Sequence, residues 1–406
     1  MKIAFISTLY APHELGGAER AMRVLAEAAA GIGHEAVAIS LAPDGVARQG
    51  QVGPVKTYYV PLANVYWPFR KARAGPVQRA LWHLIDAYNP VMGARVGRIL
   101  DAEQPDLVQT DNLLGFSVAP WRAAQRRGIP VVQTLHDYYL ACPNSSMFRG
   151  GQSCAVQCSA CRALCAPRRA LSTIPAAVVS VSRRTLERVE GSGAFRSVAH
   201  KMIAHGVNDV RASPPPRADR APGGVLCIGY LGRVEATKGI EVLLDAARRM
   251  PGGSVRVLVA GQGEPGYVES LKARCAGLDV SFLGFTKPAE LFAQIDVLVV
   301  PSVWEEPLGR VIFEAYEHGV PAVVSRAGGM PEIVDEGRTG FVFEAGNARA
   351  LADLLIAQRE RGWAGARFFA ACREKSGEFS MERSFAQHAQ LWDSVARRAP
   401  AAWVGA

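Results

Sequence analysis

The sequence contains no apolar run near the roughly 20 residues that a bilayer-crossing helix needs; its longest, such as Val297–Pro301, are strand-sized. A membrane span is therefore not expected. Long polar tracts are also missing, and with 49% hydrophobic and 20% charged residues the disordered, collagen-like and coiled-coil classes are excluded. No G-x-G-x-x-G follows the first apolar run, which counts against a dinucleotide-dependent dehydrogenase, and no Asp-x-Asp occurs anywhere. Met1–Ser7 carries one Lys before an apolar run that breaks at Tyr10–Glu14, without the apolar length or cleavage site of a signal peptide. A cytoplasmic chain is expected.

The 406 residues favour two domains over one core. The net charge of +9 is held unevenly: up to Gly206 there are 23 Lys and Arg against 13 Asp and Glu, and beyond it 23 against 24. Between Val46 and Leu100 the only carboxylate is Asp86, whereas Tyr66, Trp67, Phe69, Arg70, Lys71, Arg73, Arg79, Trp82, Arg95 and Arg98 mix basic and aromatic groups. That mixture suits peripheral contact with an anionic lipid surface, or a solvated helical face. No nucleic-acid-binding motif accompanies it, so nucleic acid is not expected as a partner.

Apolar runs alternate with helix-period segments from end to end, the signature of stacked β-α-β units around parallel sheets. One series has strands at Ile3–Ser7, Ala36–Leu41, Leu107–Gln109, Val131–Leu135 and Val178–Val181, with helices from Ala18 and near 80–87, 91–102 and 118–127. A second restarts at Val225–Leu231 and continues through Val255–Ala260, Val280–Leu283, Val297–Val300, Ala322–Ser325 and Gly340–Phe343. Between them, Pro214–Pro216 through Gly224 suits a linker, because Pro lacks a donor and Gly a packing side chain. The expected plan is an N-terminal α/β domain over 1–206, a linker over 207–224, a second α/β domain over 225–375 and a helical tail over 376–406 that packs back on the first domain.

In open parallel sheets ligands bind beyond the carboxyl ends of the strands, so the loops there are the candidate sites. Gly16–Gly17, at a helix start after the first strand, lets backbone amides approach an anion; a plain glycine turn explains them equally well. Arg233 and Lys238 lie five apart between a strand and a helix and could neutralise a diphosphate. Glu306 and Glu314, eight apart, bracket a strand-loop-helix junction where both can face one cleft. Cys154, Cys158, Cys161 and Cys165, spaced C-x3-C-x2-C-x3-C, suit a candidate structural zinc in a reducing compartment, or a reduced, partly buried loop.

Together these residues resemble the retaining glycosyltransferases of family 4. The resemblance rests on Gly16-Gly17-Ala18-Glu19, Thr134-Leu135-His136-Asp137, His205-Gly206-Val207, Gly232-Arg233 with Lys238-Gly239, Gly261-x-Gly263, Phe282-Leu283-Gly284-Phe285, Glu306 through Glu314, and Gly328-Gly329-Met330-Pro331-Glu332. It implies the GT-B fold, two Rossmann-like domains facing across a cleft. It implies a nucleotide-sugar donor whose diphosphate is bound by Arg233 and Lys238, whose ribose is held by Glu314 and whose sugar hydroxyls are held by Glu306. Gly16, Gly17 and the amides of Leu308, Gly309, Arg310 and Val311 would complete the phosphate cradle, and His136 matches the family's active-site histidine. Leu308 stands where the family usually has an aromatic residue. Metal-dependent glycosyltransferases of the other major fold use Asp-x-Asp to hold a divalent cation; here none is present, and catalysis is expected to need no cofactor. The acceptor implied is a glycan or a lipid-linked glycan at the inner membrane face. A nucleotide-sugar 2-epimerase of the same architecture and a non-catalytic nucleotide-sugar-binding protein are the alternatives.

Overall fold

The structure, a computed structural model, describes residues 1–69, 74–205, 214–216, 218–219, 221–361, 363 and 365–398. Arg70, Lys71 and Arg73 of the basic window, Gly206–Val207, much of the expected linker and the tail beyond 398 lie outside the described residues.

The strands are β1 (Lys2–Ile6), β2 (Glu35–Ala42), β3 (Arg48–Val52), β4 (Val55–Pro61), β5 (Leu107–Thr110), β6 (Val131–Leu135), a short hairpin β7 (Phe148–Arg149) and β8 (Gln152–Ser153), β9 (Ala177–Ser180), β10 (His200–Ile203), β11 (Leu226–Leu231), β12 (Val255–Ala260), β13 (Val280–Gly284), β14 (Val297–Val300), β15 (Ala322–Ser325) and β16 (Gly340–Phe343). Two parallel sheets result. The first runs β10-β9-β6-β5-β1-β2-β4-β3, antiparallel only at β3–β4, and the second runs β13-β12-β11-β14-β15-β16. Central strands such as β6 and β15 are buried along their whole length, which is why their sequences are mostly apolar, with the polar Gln133 and Thr134 held in buried hydrogen bonds.

Besides the β7–β8 hairpin, three strands lie outside the sequence expectation. Val55–Pro61 was hidden inside a window notable for its charge, although its β-branched and aromatic residues suit a pleated surface. Its partner Arg48–Val52 is a polar, mostly exposed edge without an apolar pattern, and His200–Ile203 closes the opposite edge. Asp86, the lone carboxylate of the basic window, is fully buried against Arg168 at 2.9 Å and accepts from the Tyr139 hydroxyl at 2.8 Å and the Gly115 amide at 2.8 Å. It ties the helix Pro76–Ala87 to the helix Ala166–Leu171.

The described residues form two compact units, one of 1–147, 154–205 and 381–398, the other of 148–153 and those between 214 and 380. The first unit therefore owns the helix Met381–Arg398, whose Trp392 is buried in the same core as Ile3, Phe5, Met22 and Leu25. The helix Gly365–Ser376 remains with the second unit.

Candidate functional site

In the second sheet β11 is flanked by β12 on one side and β14 on the other, so the chain reverses its direction of travel across the sheet between β11 and β14. Such a switch is where open α/β sheets bind ligands, beyond the carboxyl ends of the strands. The loop after β11 carries Arg233 and Lys238, and the loop after β14 carries Glu306.

These two loops are laced together. The amides of Val303 and Trp304 donate to the Thr237 carbonyl at 3.1 and 3.2 Å, and the Ser302 hydroxyl oxygen lies 3.1 Å from the same oxygen. Close approach is possible because Gly239, at φ +67°, has no side chain: a Cβ there would stand 2.0 Å from the Pro301 carbonyl oxygen. Gly328, at φ +65°, plays the same part beneath Glu306, where a Cβ would lie 1.9 Å from the Glu306 carbonyl oxygen, and the Gly329 amide donates to that oxygen at 2.7 Å.

The result is a fixed charge pair. Lys238 Nζ donates to Glu306 Oε1, which also accepts from the Ser302 hydroxyl at 3.0 Å, while the ammonium lies 5.0 Å from the centre of the Trp304 ring. Glu306 is buried. Arg233 is not part of this contact; its side chain is largely exposed and pairs with Glu235 at 3.2 Å. Beyond Glu306, Gly309 at φ +90° starts the helix Arg310–Glu317, an end that no side chain caps. Leu308 is buried, and Arg310 and Glu314 approach to 3.6 Å one turn apart on that helix. A helix start beside an ammonium favours an anion.

In the first unit Gly16 is the cap residue of the helix Gly17–Gly31, in an extended conformation and again without a side-chain cap. His136 follows β6, and its Nε2 lies 2.9 Å from Asp111 Oδ1 at the end of β5. Asp137, next along, accepts from the Tyr139 amide at 2.7 Å, and burial pushes its carboxyl up to about 6.

The cysteines expected to hold a structural zinc, Cys154, Cys158, Cys161 and Cys165, run from the end of the hairpin through the helix Ser159–Leu164. Cys154 leaves the hairpin with its amide donating to the Met147 carbonyl at 2.6 Å and its carbonyl accepting from Arg188. Burial, with the neighbouring sulfurs of Cys158 and Cys142, raises the Cys161 thiol pKa, and burial pushes the Cys165 thiol up to about 11. Cys158, Cys161 and Cys165 share a face because they fall at three- and four-residue spacing around the helix Ser159–Leu164. Among the described residues no group of three or more His, Cys, Asp or Glu side chains is arranged to hold a metal ion.

Sequence reasoning missed Ser302 and Asp111. The rule that singled out His136, a polar residue just past the carboxyl end of a central strand, applies equally to Asp111.

Two family models match the chain. One, described as glycosyl transferase 4-like domain, matches residues 16–206, and another, described as glycosyl transferases group 1, matches residues 225–358. Among curated proteins, an uncharacterized 42.6 kDa protein in the cps region of Klebsiella pneumoniae is 28% identical, covering 82% of this chain and 87% of that protein. The phosphatidyl-myo-inositol mannosyltransferase of Mycobacterium leprae is 27% identical over 76% of this chain and 79% of its own length. Among solved structures, Anabaena Alr3699/HepE in complex with UDP superposes with a TM-score of 0.71 at 20% identity, covering 97% of this chain and 100% of that one. Sucrose-phosphate synthase from Thermosynechococcus elongatus gives 0.74 at 21% identity, over 97% and 98% of the two chains. The fold they share is GT-B.

Proposed function

The chain belongs to the group 1 glycosyltransferases, and on that premise we propose that it moves a sugar from a nucleoside-diphosphate donor to a glycan or lipid-linked acceptor in polysaccharide or cell-envelope assembly. The glycosyl transferase family models favour transfer over the 2-epimerase and non-catalytic alternatives. The observation that carries the donor reading is the Lys238–Glu306–Ser302 contact at the β11/β14 switch, beside an uncapped helix start. The related HepE structures hold UDP and UDP-glucose, in keeping with such a donor.

Cleavage of the bond between the anomeric carbon and the diphosphate leaves negative charge on the departing phosphate. Lys238, Arg233 and the amides of Leu308 to Val311 are proposed to offset it, and the family resemblance assigns Gly16 and Gly17 to the phosphates as well. Arg233 would turn from Glu235 to do so. Glu306, held in one orientation by Lys238 and Ser302, would accept hydrogen bonds from donor-sugar hydroxyls, and Glu314 from the ribose. His136 is proposed to contact the donor sugar. Transfer would need no metal and retain the anomeric configuration, as the family resemblance implies.

No helix among the described residues is long and apolar enough to cross a membrane. The helix Pro76–Ala87 leaves Val77, Leu81 and Leu84 exposed at four- and three-residue spacing beside exposed Arg79. That face supports peripheral contact with an anionic bilayer from the cytoplasmic side, where a lipid-linked acceptor would reside. Purified protein should therefore be screened against a panel of nucleoside-diphosphate sugars by thermal shift and by release of the nucleoside diphosphate. Failure of every donor to raise the melting temperature or to be turned over would refute the proposal. Proton NMR of the first product formed gives its anomeric configuration, and an inverted product would overturn retention.

A further inference from the structure

We propose that Asp111 is a positioning residue for His136 and that His388, from the helix Met381–Arg398, supports Asp111 from behind. Three observations within the first unit carry this. First, Asp111 Oδ1 lies 2.9 Å from His136 Nε2, with both side chains largely withdrawn from solvent. A carboxylate only accepts, so neutral His136 must carry its proton on Nε2 and present Nδ1 as the bare acceptor. Second, the other carboxylate oxygen, Asp111 Oδ2, is buried and has no hydrogen-bond partner among the described residues. An unsatisfied buried charged acceptor is costly unless a small polar molecule reaches it.

Third, a cavity of about 20 Å³ lies between Asp111, Thr134, His136, His205, Ser384 and His388, against Ala21, Met22 and Leu25. One water fits such a volume when polar groups surround it. His388 Nδ1 donates to the Ser384 carbonyl at 2.8 Å, and burial lowers the ring's pKa, so its Nε2 is an acceptor. A single water donating one proton to Asp111 Oδ2 and the other to His388 Nε2 would satisfy both.

His388 is itself held firmly. Four residues further on, Trp392 donates to Gln109 Oε1 on β5 at 3.0 Å, its ring packs edge-on against Phe5 and Phe385, and it lies 5.9 Å from the His388 ring. Gln109 stands two residues before Asp111 and also donates to the Thr134 hydroxyl at 2.7 Å, two residues before His136. The helix therefore braces both strands that end in the pair.

The kinetic part of the inference rests on the proposed contact of His136 with the donor sugar; the geometric part does not. Long-range proton-nitrogen NMR of protein labelled with ¹⁵N-histidine, at a pH where His136 is neutral, should show the proton on Nε2. In Asp111→Ala the His136 signals should shift toward a mixture of tautomers, while circular dichroism reports a folded chain. Signals unchanged in Asp111→Ala would overturn the positioning role. In steady-state assays Asp111→Asn should lower kcat about tenfold to a hundredfold with donor KM changed less than threefold. A rise in KM alone would refute the kinetic role. His388→Phe should lower kcat in the same direction, and the double variant should lose less than the product of the two separate losses; full multiplicativity would remove His388 from the network. If His136→Ala retains full activity while the tautomer shift is still seen, the sugar-contact reading fails and the pairing stands.

Discussion

Trp392 and Gln109, 283 residues apart in sequence, are joined by a 3.0 Å hydrogen bond in the core of the first unit. The indole is fully buried among Phe5, Phe385 and His388, so the helix that carries it is part of that core. Trp392→Phe removes the donor and leaves the amide oxygen unsatisfied, an expected loss of about 1–3 kcal/mol. Trp392→Ala also empties a large volume and should lose about 3–5 kcal/mol. Denaturant titration followed by circular dichroism would measure both, and an unchanged midpoint would show the helix to be an appendage.

Lys238→Ala and Glu306→Gln are expected to lower kcat/KM by about a hundredfold or more, the usual scale for removing one preorganised electrostatic contact. Melting temperatures should change little by comparison. Near-normal rates in folded variants would dismiss the pair from the donor site.

Gly239→Ala and Gly328→Ala place a Cβ about one atom's width into the backbone of Pro301 and Glu306, both at positive φ. Each should cost about 1–3 kcal/mol from backbone strain alone, and the two loops can separate only by moving Glu306. A joint loss of thermal stability and donor affinity is the expected result, measured by thermal shift with and without donor. Full donor affinity in both variants would mean that the lacing of the loops does not position Glu306.

Glu103 accepts from Lys56 at 2.5 Å and from the Tyr58 hydroxyl, with Lys2 at 2.6 Å. Burial pushes its carboxyl up, but the three donors outweigh that and hold it at about 2. A depressed carboxylate stabilises the fold fully above its unfolded value of about 4.3, and the contribution fades as pH falls toward 2. The melting temperature should therefore drop between pH 5 and 2.5, and Glu103→Gln should flatten that slope. An identical slope in the variant would assign the acid sensitivity elsewhere.

Exhaustive dialysis against EDTA should leave transfer intact, because the proposed charge compensation comes from Lys238, Arg233 and backbone amides. Loss of activity restored by magnesium or manganese would reverse that reading. Elemental analysis of the same protein tests the cysteine loop: about one zinc per chain would support a metal at Cys154, Cys158, Cys161 and Cys165, and none would leave a reduced loop.

Much of the second sheet could be read from the chain because most of its strands are largely apolar runs with a glycine or proline near one end, and the central ones are buried on both faces as parallel strands are. The observed Val255–Ala260, Val297–Val300, Ala322–Ser325 and Gly340–Phe343 coincide with those runs. The first sheet was less legible at its edge, where Arg48–Val52 has nothing apolar to mark it and is specified by pairing with β4. The Lys238–Glu306 contact joins residues 68 apart that only strand order could bring together. Local spacing likewise could not show that Cys142 would neighbour Cys161, because the two are 19 residues apart and meet only through the fold.

The return of residues 381 onward to the first unit also governs the order in which the protein can be built. During synthesis the N-terminal sheet emerges early, yet Phe5 and Gln109 wait for Trp392 until the whole second unit has left the ribosome. A nascent chain halted before residue 381 should therefore leave an unfilled, greasy slot beside β1 and β5, a natural handle for chaperones.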